Sequence, residues 1–214
     1  SRRADHPREF LKAFSGIAIT DGYQVYHKLS KERPDLLIGG CWIHARRPFA
    51  DFIKSIKGSA DGTIAHKAYS LITEMLHINN GFDDLPSDDR LKQRQLILTE
   101  KVDAYFEWVK LKYNQVTHNS TIGKALAYSI HQEPYLRTFL TDGDVPMDNN
   151  YAEQAIRPFT IGRKNFVLIE SSNGARASAM IYSLVETAKA NYLNVYQYLE
   201  LLLIEIPKHM NDTN

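Results

Sequence analysis

Two short runs of apolar and β-branched residues near the start of the sequence constrain its fold more than any other feature. Residues 17–20 form the first run, which ends at Asp21 and Gly22, and residues 36–43 form the second, which follows Pro34. Residues compatible with a helix separate the two runs. A strand, a helix and a second strand at this spacing predict a parallel βαβ unit. Because functional groups of such folds follow the carboxyl ends of the strands, Asp21 is a candidate site residue.

Helical periodicity dominates the chain from about residue 49 to residue 140. Apolar side chains recur there every three or four positions in three stripes, and such stripes predict helices that pack into a core. Pro134 is expected to begin a further helix, because proline is favoured in the first turn. The stripes are Ile64, Ala68, Leu71, Ile72, Met75 and Leu76; Leu98, Val102, Tyr105, Phe106, Val109 and Tyr113; and Ile122, Ala125, Leu126 and Ser129.

The last third of the chain predicts three more helices. The first spans about residues 150–157 and is expected to stop at Pro158, which cannot continue the hydrogen-bond ladder. Between it and the two later helices, residues 160–169 have β-rich ends around a basic centre, residues 162–165. The later stripes are Ala177, Met180, Ile181, Leu184, Val185 and Ala188, and Val195, Tyr198, Leu199, Leu202 and Leu203. The expected fold class is therefore α/β and predominantly helical.

Composition excludes several classes of protein. Hydrophobic residues make up 43% of the chain, which is enough for a core and too much for a wholly disordered protein. No apolar run approaches the roughly 18 residues that a membrane span requires, so no membrane partner is expected. Cys41 is the single cysteine, which excludes a disulfide framework and favours a reducing, cytoplasmic location.

Charge is balanced overall but not locally. The chain has 26 basic and 25 acidic residues, yet residues 41–57 carry four basic side chains against Asp51 alone. Residues 153–176 carry four basic side chains against two acidic ones, whereas acidic residues predominate in the segment 80–107. These segments form either a polarised surface or ordinary solvated loops, and charge alone leaves both interpretations open.

Carboxylates offer a candidate for metal-dependent chemistry. Glu153 follows Asn150 at capping-box spacing, which explains both residues structurally. Alternatively Glu153 faces inward, with Arg157 one turn later on the same side. Carboxylates that converge from a strand end, Asp21, and from a helix can hold Mg²⁺, and two such ions about 4 Å apart promote phosphodiester chemistry. Asp148 is open to the same two interpretations, helix cap or ligand.

Other chemistries have less support in the sequence. Cys41 and His44 supply only two of the four ligands that a structural zinc site needs, and a second cysteine is absent. No phosphate-binding loop with a Gly-Lys-Ser/Thr end and no Gly-x-Ser-x-Gly elbow occurs. Cys41 as a nucleophile has no feature in its favour.

Four blocks of the sequence, in order over almost the whole chain, are similar to the insertion sequence 66 family of bacterial transposases. They are Thr20-Asp21-Gly22-Tyr23 with Tyr26; Cys41-Trp42-Ile43-His44-Ala45-Arg46-Arg47-Pro48-Phe49; Asp148-Asn149-Asn150-Tyr151-Ala152-Glu153-Gln154-Ala155-Ile156-Arg157-Pro158 with Ile161-Gly162-Arg163-Lys164-Asn165; and Ile181-Tyr182-Ser183-Leu184-Val185-Glu186-Thr187-Ala188-Lys189.

The resemblance implies an RNase H-like core with an Asp-Asp-Glu triad that uses Mg²⁺ or Mn²⁺. Asp21 matches the second Asp of that triad and Glu153 matches the Glu. A large helical insertion is expected before the Glu. The implied division is a partial core in residues 1–50, the insertion in residues 51–140, and the core helix with Glu153 plus C-terminal helices in residues 141–214.

The resemblance also implies DNA as the partner, both the ends of the element and the target. Basic residues in the matching blocks are then expected to contact phosphates, which makes binding sequence-independent and sensitive to salt. These residues are Arg46, Arg47, Arg157, Arg163 and Lys164, with Asn165 beside them. The family usually has Arg where Gln154 stands, so one phosphate contact is expected to be weaker.

Departures from the family pattern imply a truncated core. The first catalytic Asp lies upstream of the opening strands in the family and has no equivalent here, and the chain begins with Ser1. We therefore expect a fragment or a decayed copy with an incomplete two-metal site, which alone neither cleaves nor joins DNA. Two alternatives are an inactive remnant that binds DNA or an intact transposase, and a helical fragment without a partner. An open sheet edge favours self-association, and other proteins encoded by the element are further candidate partners.

Overall fold

The order of the secondary-structure elements is strand and helix first, then helices alone. The computed structural model describes residues 4–166, 169 and 171–210, except for the side chains of 162–166. Its elements are α1 (Asp5–Phe10), β1 (Gly16–Thr20), α2 (Gln24–Glu32), β2 (Leu36–Gly40), α3 (Trp42–Ser55), α4 (Ile64–Asn80), α5 (Ser87–Gln93), a π-helical turn (Arg94–Leu98), α6 (Thr99–Tyr113), α7 (Thr121–Leu136), a 3₁₀ turn (Thr138–Leu140), α8 (Asn150–Phe166), α9 (Ser172–Ala190), α10 (Val195–Glu205) and a second 3₁₀ turn (Ile206–His209).

The predicted βαβ unit is confirmed. β1 and β2 pair in parallel, in a register that runs from Gly16 opposite Leu36 to Thr20 opposite Gly40, and α2 connects them. The expectation that the second strand extends to residue 43 is wrong, because α3 begins at Trp42. Residues 41–43 are apolar because they start a buried helix face, and a short apolar run does not distinguish a buried strand from such a face.

The main core lies among α3, α4, α6 and α7. The three apolar stripes predicted for the middle of the chain supply it, and Trp42 at the start of α3 is fully buried at its centre. The indole ring meets Tyr105, Phe106 and Phe139 at centroid distances of 5.5, 5.8 and 6.3 Å. Edge-to-face and tilted aromatic contacts of this kind add to the burial of apolar area. The expected α/β, predominantly helical class is confirmed.

Two prolines lie inside helices that they were expected to begin or end. Pro134 occupies the last turn of α7, and Pro158 lies within α8, which continues to Phe166. The expectations of a new helix at Pro134 and of a stop at Pro158 are therefore wrong. An internal proline removes one backbone hydrogen bond, and flanking residues that favour a helix carry the ladder past it.

The chain divides into two compact units, residues 1–149 and 150–214. The first contains the sheet and α1–α7. In the second, α8 and α9 pack through Phe159 and Tyr182, whose rings meet edge to face at 5.5 Å. Among the described residues, no helix is long and apolar enough to cross a membrane. The division expected from the sequence, with boundaries at residues 50 and 140, stays a prediction.

A buried guanidinium fixes the loop that closes the first unit. Arg94 is only 2% exposed and lies in the π-helical turn. Its Nη1 donates to the carbonyl oxygens of Phe139, Asp142, Gly143 and Val145 at 2.8–3.2 Å, and its Nε donates to Asn79 Oδ1 at 2.9 Å. Burial, and then the nearby Arg90, lower the pKa of this guanidinium. Arg94 therefore holds the loop that leads to residue 149, and Arg90 Nη1 adds a further hydrogen bond to the Gly143 carbonyl at 3.1 Å.

Replacing Arg94 by methionine should lower the free energy of unfolding by about 2–4 kcal/mol, because the variant leaves several buried carbonyl groups without donors. Urea denaturation measures this loss. Lys101→Met is the matched control, because it breaks a surface ion pair with Glu74 and should change stability by less than about 1 kcal/mol. Equal losses in the two variants would contradict the role given to Arg94.

Candidate active site

Asp21 lies at the carboxyl edge of the sheet, directly after β1. Its side chain is exposed, and its Oδ1 accepts a hydrogen bond from the backbone N–H of Tyr23 at 3.1 Å. This short-range bond closes a turn over Gly22 in the manner typical of aspartate. The carboxylate that the sequence predicts after the first strand is therefore exposed, and it lies in a closed turn.

Helix α7 packs against the Asp21 turn. The hydroxyl of Tyr128 donates to the backbone carbonyl of Asp21 at 2.8 Å. Gly22 has a φ of +83°, and a Cβ at this position would stand 2.8 Å from the Tyr128 hydroxyl and 3.0 Å from the Gln132 amide. Gln132 is 7% exposed, and its Oε1 has no hydrogen-bond partner within the described part of the chain.

The end of the first unit approaches the region formed by the Asp21 turn, Tyr128 and Gln132, which we call the Asp21 corner. The backbone N–H of Trp42 donates to the carbonyl of Met147 at 2.9 Å, which places Asp148 beside Cys41. Burial raises the pKa of the Cys41 thiol, and the negative charge of Asp148 raises it further. Because β1 and β2 are parallel and Thr20 pairs with Gly40, Cys41 and Asp21 leave the sheet at one edge. Asp148 thus approaches the edge that carries Asp21.

The two arginines of α3 have different surroundings. Arg46 is half-buried: its Nη1 donates to Thr73 Oγ1 at 3.1 Å, and its guanidinium lies 5.2 Å from the centroid of the Tyr69 ring. Arg47 is exposed and lies within electrostatic range of the Tyr128 hydroxyl. Arg47 is therefore the better placed of the two for a ligand at the Asp21 corner.

Glu153 and Arg157 belong to the second unit. Both are exposed on α8, with Glu153 in its first turn. They line a surface depression of about 340 Å³ together with Asn150, Gln154, Ile156 and Thr160. The remaining residues expected to contact DNA, the basic Arg163 and Lys164 and the neutral Asn165, lie further along α8, and their side chains are outside the described residues.

The residues predicted for the site therefore fall into two groups, one in each unit. In the first unit Asp21 and Arg47 lie near Tyr128 and Asp148 lies beside Cys41, whereas α8 carries Glu153 and Arg157. In the part of the chain that the structure describes, no cluster of three or more His, Cys, Asp or Glu side chains could hold a metal ion. Sequence reasoning missed Tyr128 and Gln132, since no local pattern indicates that a tyrosine on a core helix contacts a turn 107 residues away.

Comparison with known proteins gives a consistent match. Residues 1–177 match the family model described as "Transposase IS66 family". Three proteins of Sinorhizobium fredii (strain NBRC 101917 / NGR234) are similar over 96–97% of the chain: uncharacterized protein y4qI at 32% identity, y4jD at 28% and y4hP at 26%. The chain spans only 38–40% of the length of these relatives. No solved structure matches it.

Gly22→Ala should destabilise the first unit more than Gly58→Ala does. Both glycines have positive φ, so each alanine costs about 1–2 kcal/mol of backbone strain. Only the Gly22 variant also meets side chains, because nothing lies within 4 Å of a Cβ at Gly58. Thermal unfolding of both variants measures the difference, which we expect to be about 1 kcal/mol or more. Equal losses would contradict the close packing of α7 on the turn.

Proposed function

The chain belongs to the IS66 family of transposases, and we propose that it forms part of the catalytic region of an enzyme that moves an insertion element by metal-dependent DNA strand cleavage and strand transfer. The observation that carries the proposal is the position of Asp21, an exposed carboxylate in a closed turn at the carboxyl edge of a parallel βαβ unit. Active-site carboxylates of α/β folds occupy this position.

We further propose that the β1–α2–β2 unit is a piece of an RNase H-like core. In this proposal residues 1–50 hold the Asp21 part of that core, residues 51–140 are the helical insertion, and residues 141–214 supply the helix that carries Glu153. Parallel pairing of β1 and β2 through a helical crossover supports it, since this is the connection that the core requires.

The residues present fit a divalent cation in their chemistry. Asp21 and Glu153 offer carboxylate oxygens, which Mg²⁺ and Mn²⁺ prefer, and both side chains are exposed to an incoming ion. The buried Gln132 Oε1 lies beside the turn that carries Asp21, and Asp148 adds a negative charge next to Cys41. When bound, such a cation supplies Lewis-acid activation of the attacking oxygen. The two carboxylates are proposed as ligands, and Asp148 as a residue that adds negative charge beside them.

Basic side chains are proposed to hold the DNA backbone. Arg47 lies beside the Asp21 corner, and Arg157 lies one turn from Glu153, so each carboxylate has a cation near it. Arg46 is proposed to support this surface through its contacts with Tyr69 and Thr73. The family motif adds Arg163, Lys164 and Asn165 as phosphate contacts. Self-association and pairing with other proteins of the element stay predictions.

Mn²⁺ binding tests the carboxylates directly. Titration of the chain, followed by electron paramagnetic resonance, should show Mn²⁺ bound, and Asp21→Asn and Glu153→Gln should each weaken the affinity at least about tenfold. Asp51→Asn is the control, because Asp51 is an exposed carboxylate on α3 outside the proposed ligand set. Binding that neither Asp21→Asn nor Glu153→Gln affects would contradict the proposed ligands.

A nicking assay on supercoiled DNA distinguishes the enzyme from an inactive remnant. We expect the chain to bind DNA without cleaving it, since the resemblance supplies only two of the three triad carboxylates. Metal-dependent nicking that Glu153→Gln abolishes would overturn this expectation and establish an active enzyme. Absence of DNA binding even at low salt would instead favour a helical fragment without a partner.

Arg47→Ala should weaken DNA binding by a similar factor for unrelated sequences. Each lost phosphate contact should also reduce the slope of log K against log salt concentration by about one. Fluorescence anisotropy across a salt series measures both effects. Arg8→Ala is the control, because Arg8 is also an exposed arginine but pairs with Glu32 away from the site. An equal change in both variants would contradict the assignment of Arg47 as a phosphate contact.

A further inference from the structure

Two residues one turn apart on α7, Tyr128 and Gln132, meet the turn that carries Asp21. The Tyr128 hydroxyl donates to the Asp21 carbonyl at 2.8 Å, and both side chains border the space where a Cβ of Gly22 would stand. On the other side, the Asp21 carboxylate accepts the N–H of Tyr23 at 3.1 Å. The backbone of Asp21 is thus held by a distant helix, and its side chain by its own turn.

We propose that Tyr128 is a positioning residue that holds the Asp21 carboxylate in the orientation required for its role at the proposed metal site. The inference rests on the proposed function. Asp21 is an exposed residue just beyond a strand end, a position where a chain is ordinarily mobile. One hydrogen bond from a fixed helix to its carbonyl converts this turn into a rigid support, and rigid support is what a metal-ligating carboxylate needs.

Helix α7 is itself anchored at the residue after Tyr128 and at its C-terminal end. Ser129, the next residue, shares a buried hydrogen bond of 3.0 Å with the hydroxyl of Tyr105 on α6. The carbonyl of Leu136, at the end of α7, accepts the indole N–H of Trp42 at 2.9 Å. The phenol of Tyr128 therefore projects from a part of the helix that the core holds in place.

The Tyr128 phenol is the hydrogen-bond donor in its contact with the Asp21 carbonyl. Burial raises the pKa of Tyr128 to about 12, and the negative charge of Asp21 acts in the same direction, whereas Arg47 lowers it. A phenylalanine would keep the ring and its packing and would remove only the donor.

Hydrogen exchange at the Tyr23 amide tests the support without any metal. Tyr128→Phe should raise the exchange rate of this amide about 3- to 10-fold, because one hydrogen bond no longer holds the turn. Tyr105→Phe is the matched control: it removes a tyrosine hydroxyl bond to the same helix, at Ser129, but leaves the Asp21 turn untouched. An unchanged Tyr23 rate in Tyr128→Phe, or an equal change in both variants, would overturn the proposal.

Mn²⁺ affinity then separates this inference from the proposed function. At a temperature where all variants are folded, Tyr128→Phe should weaken binding about 3- to 10-fold and Tyr105→Phe should not. Faster Tyr23 exchange with unaltered Mn²⁺ affinity in Tyr128→Phe would refute the positioning role at the metal site, provided that Asp21→Asn does weaken binding. If Asp21→Asn has no effect on Mn²⁺ binding, the proposed function itself fails, and with it the role assigned to Tyr128.

Discussion

Trp42, through its backbone and its indole ring, connects the sheet, the helical core and the candidate site. Its backbone N–H binds the carbonyl of Met147, its Nε1 binds the carbonyl of Leu136, and its ring packs between Tyr105 and Phe106. Trp42 stands two residues after β2, so these contacts attach the strand end to residues about a hundred positions later. Together with the other contacts of α7 and of the loop before α8, they fix both elements at the carboxyl edge of the sheet.

The first unit places several charged side chains near the carboxyl edge of its βαβ motif. Asp21 supplies a carboxylate, and Asp148 adds a second negative charge beside Cys41. Arg47 adds a positive charge within electrostatic range of the Tyr128 hydroxyl. Arg94 contributes indirectly, because its four carbonyl contacts order the loop that delivers Asp148. The other proposed carboxylate, Glu153, belongs to a helix of the second unit, so the proposed chemistry depends on both units.

Short-range sequence patterns predicted the features of the fold that short-range interactions determine. The two strands and their parallel pairing followed from apolar runs and their spacing, the core stripes followed from periodicity, and Asp21 follows β1 as its position after an apolar run indicated. The start of α3 was missed because Trp42 is apolar in a run that also suits a strand. Pro134 and Pro158 predict helix boundaries in the sequence, but the helices continue through them despite the loss of one backbone hydrogen bond each. The contact of Tyr128 with Asp21 had no local signal, because only tertiary packing creates it.

The long sequence separation of that contact has a consequence for the order of events during synthesis. Tyr128 lies 107 residues after Asp21. At about 5–20 residues per second, the ribosome needs on the order of 5–20 s to make the intervening chain. The βαβ unit can pair its strands within that interval, but the turn that bears the carboxylate stays unsupported until α7 has been made. The nascent chain can therefore pair its two strands before the Asp21 turn becomes ordered.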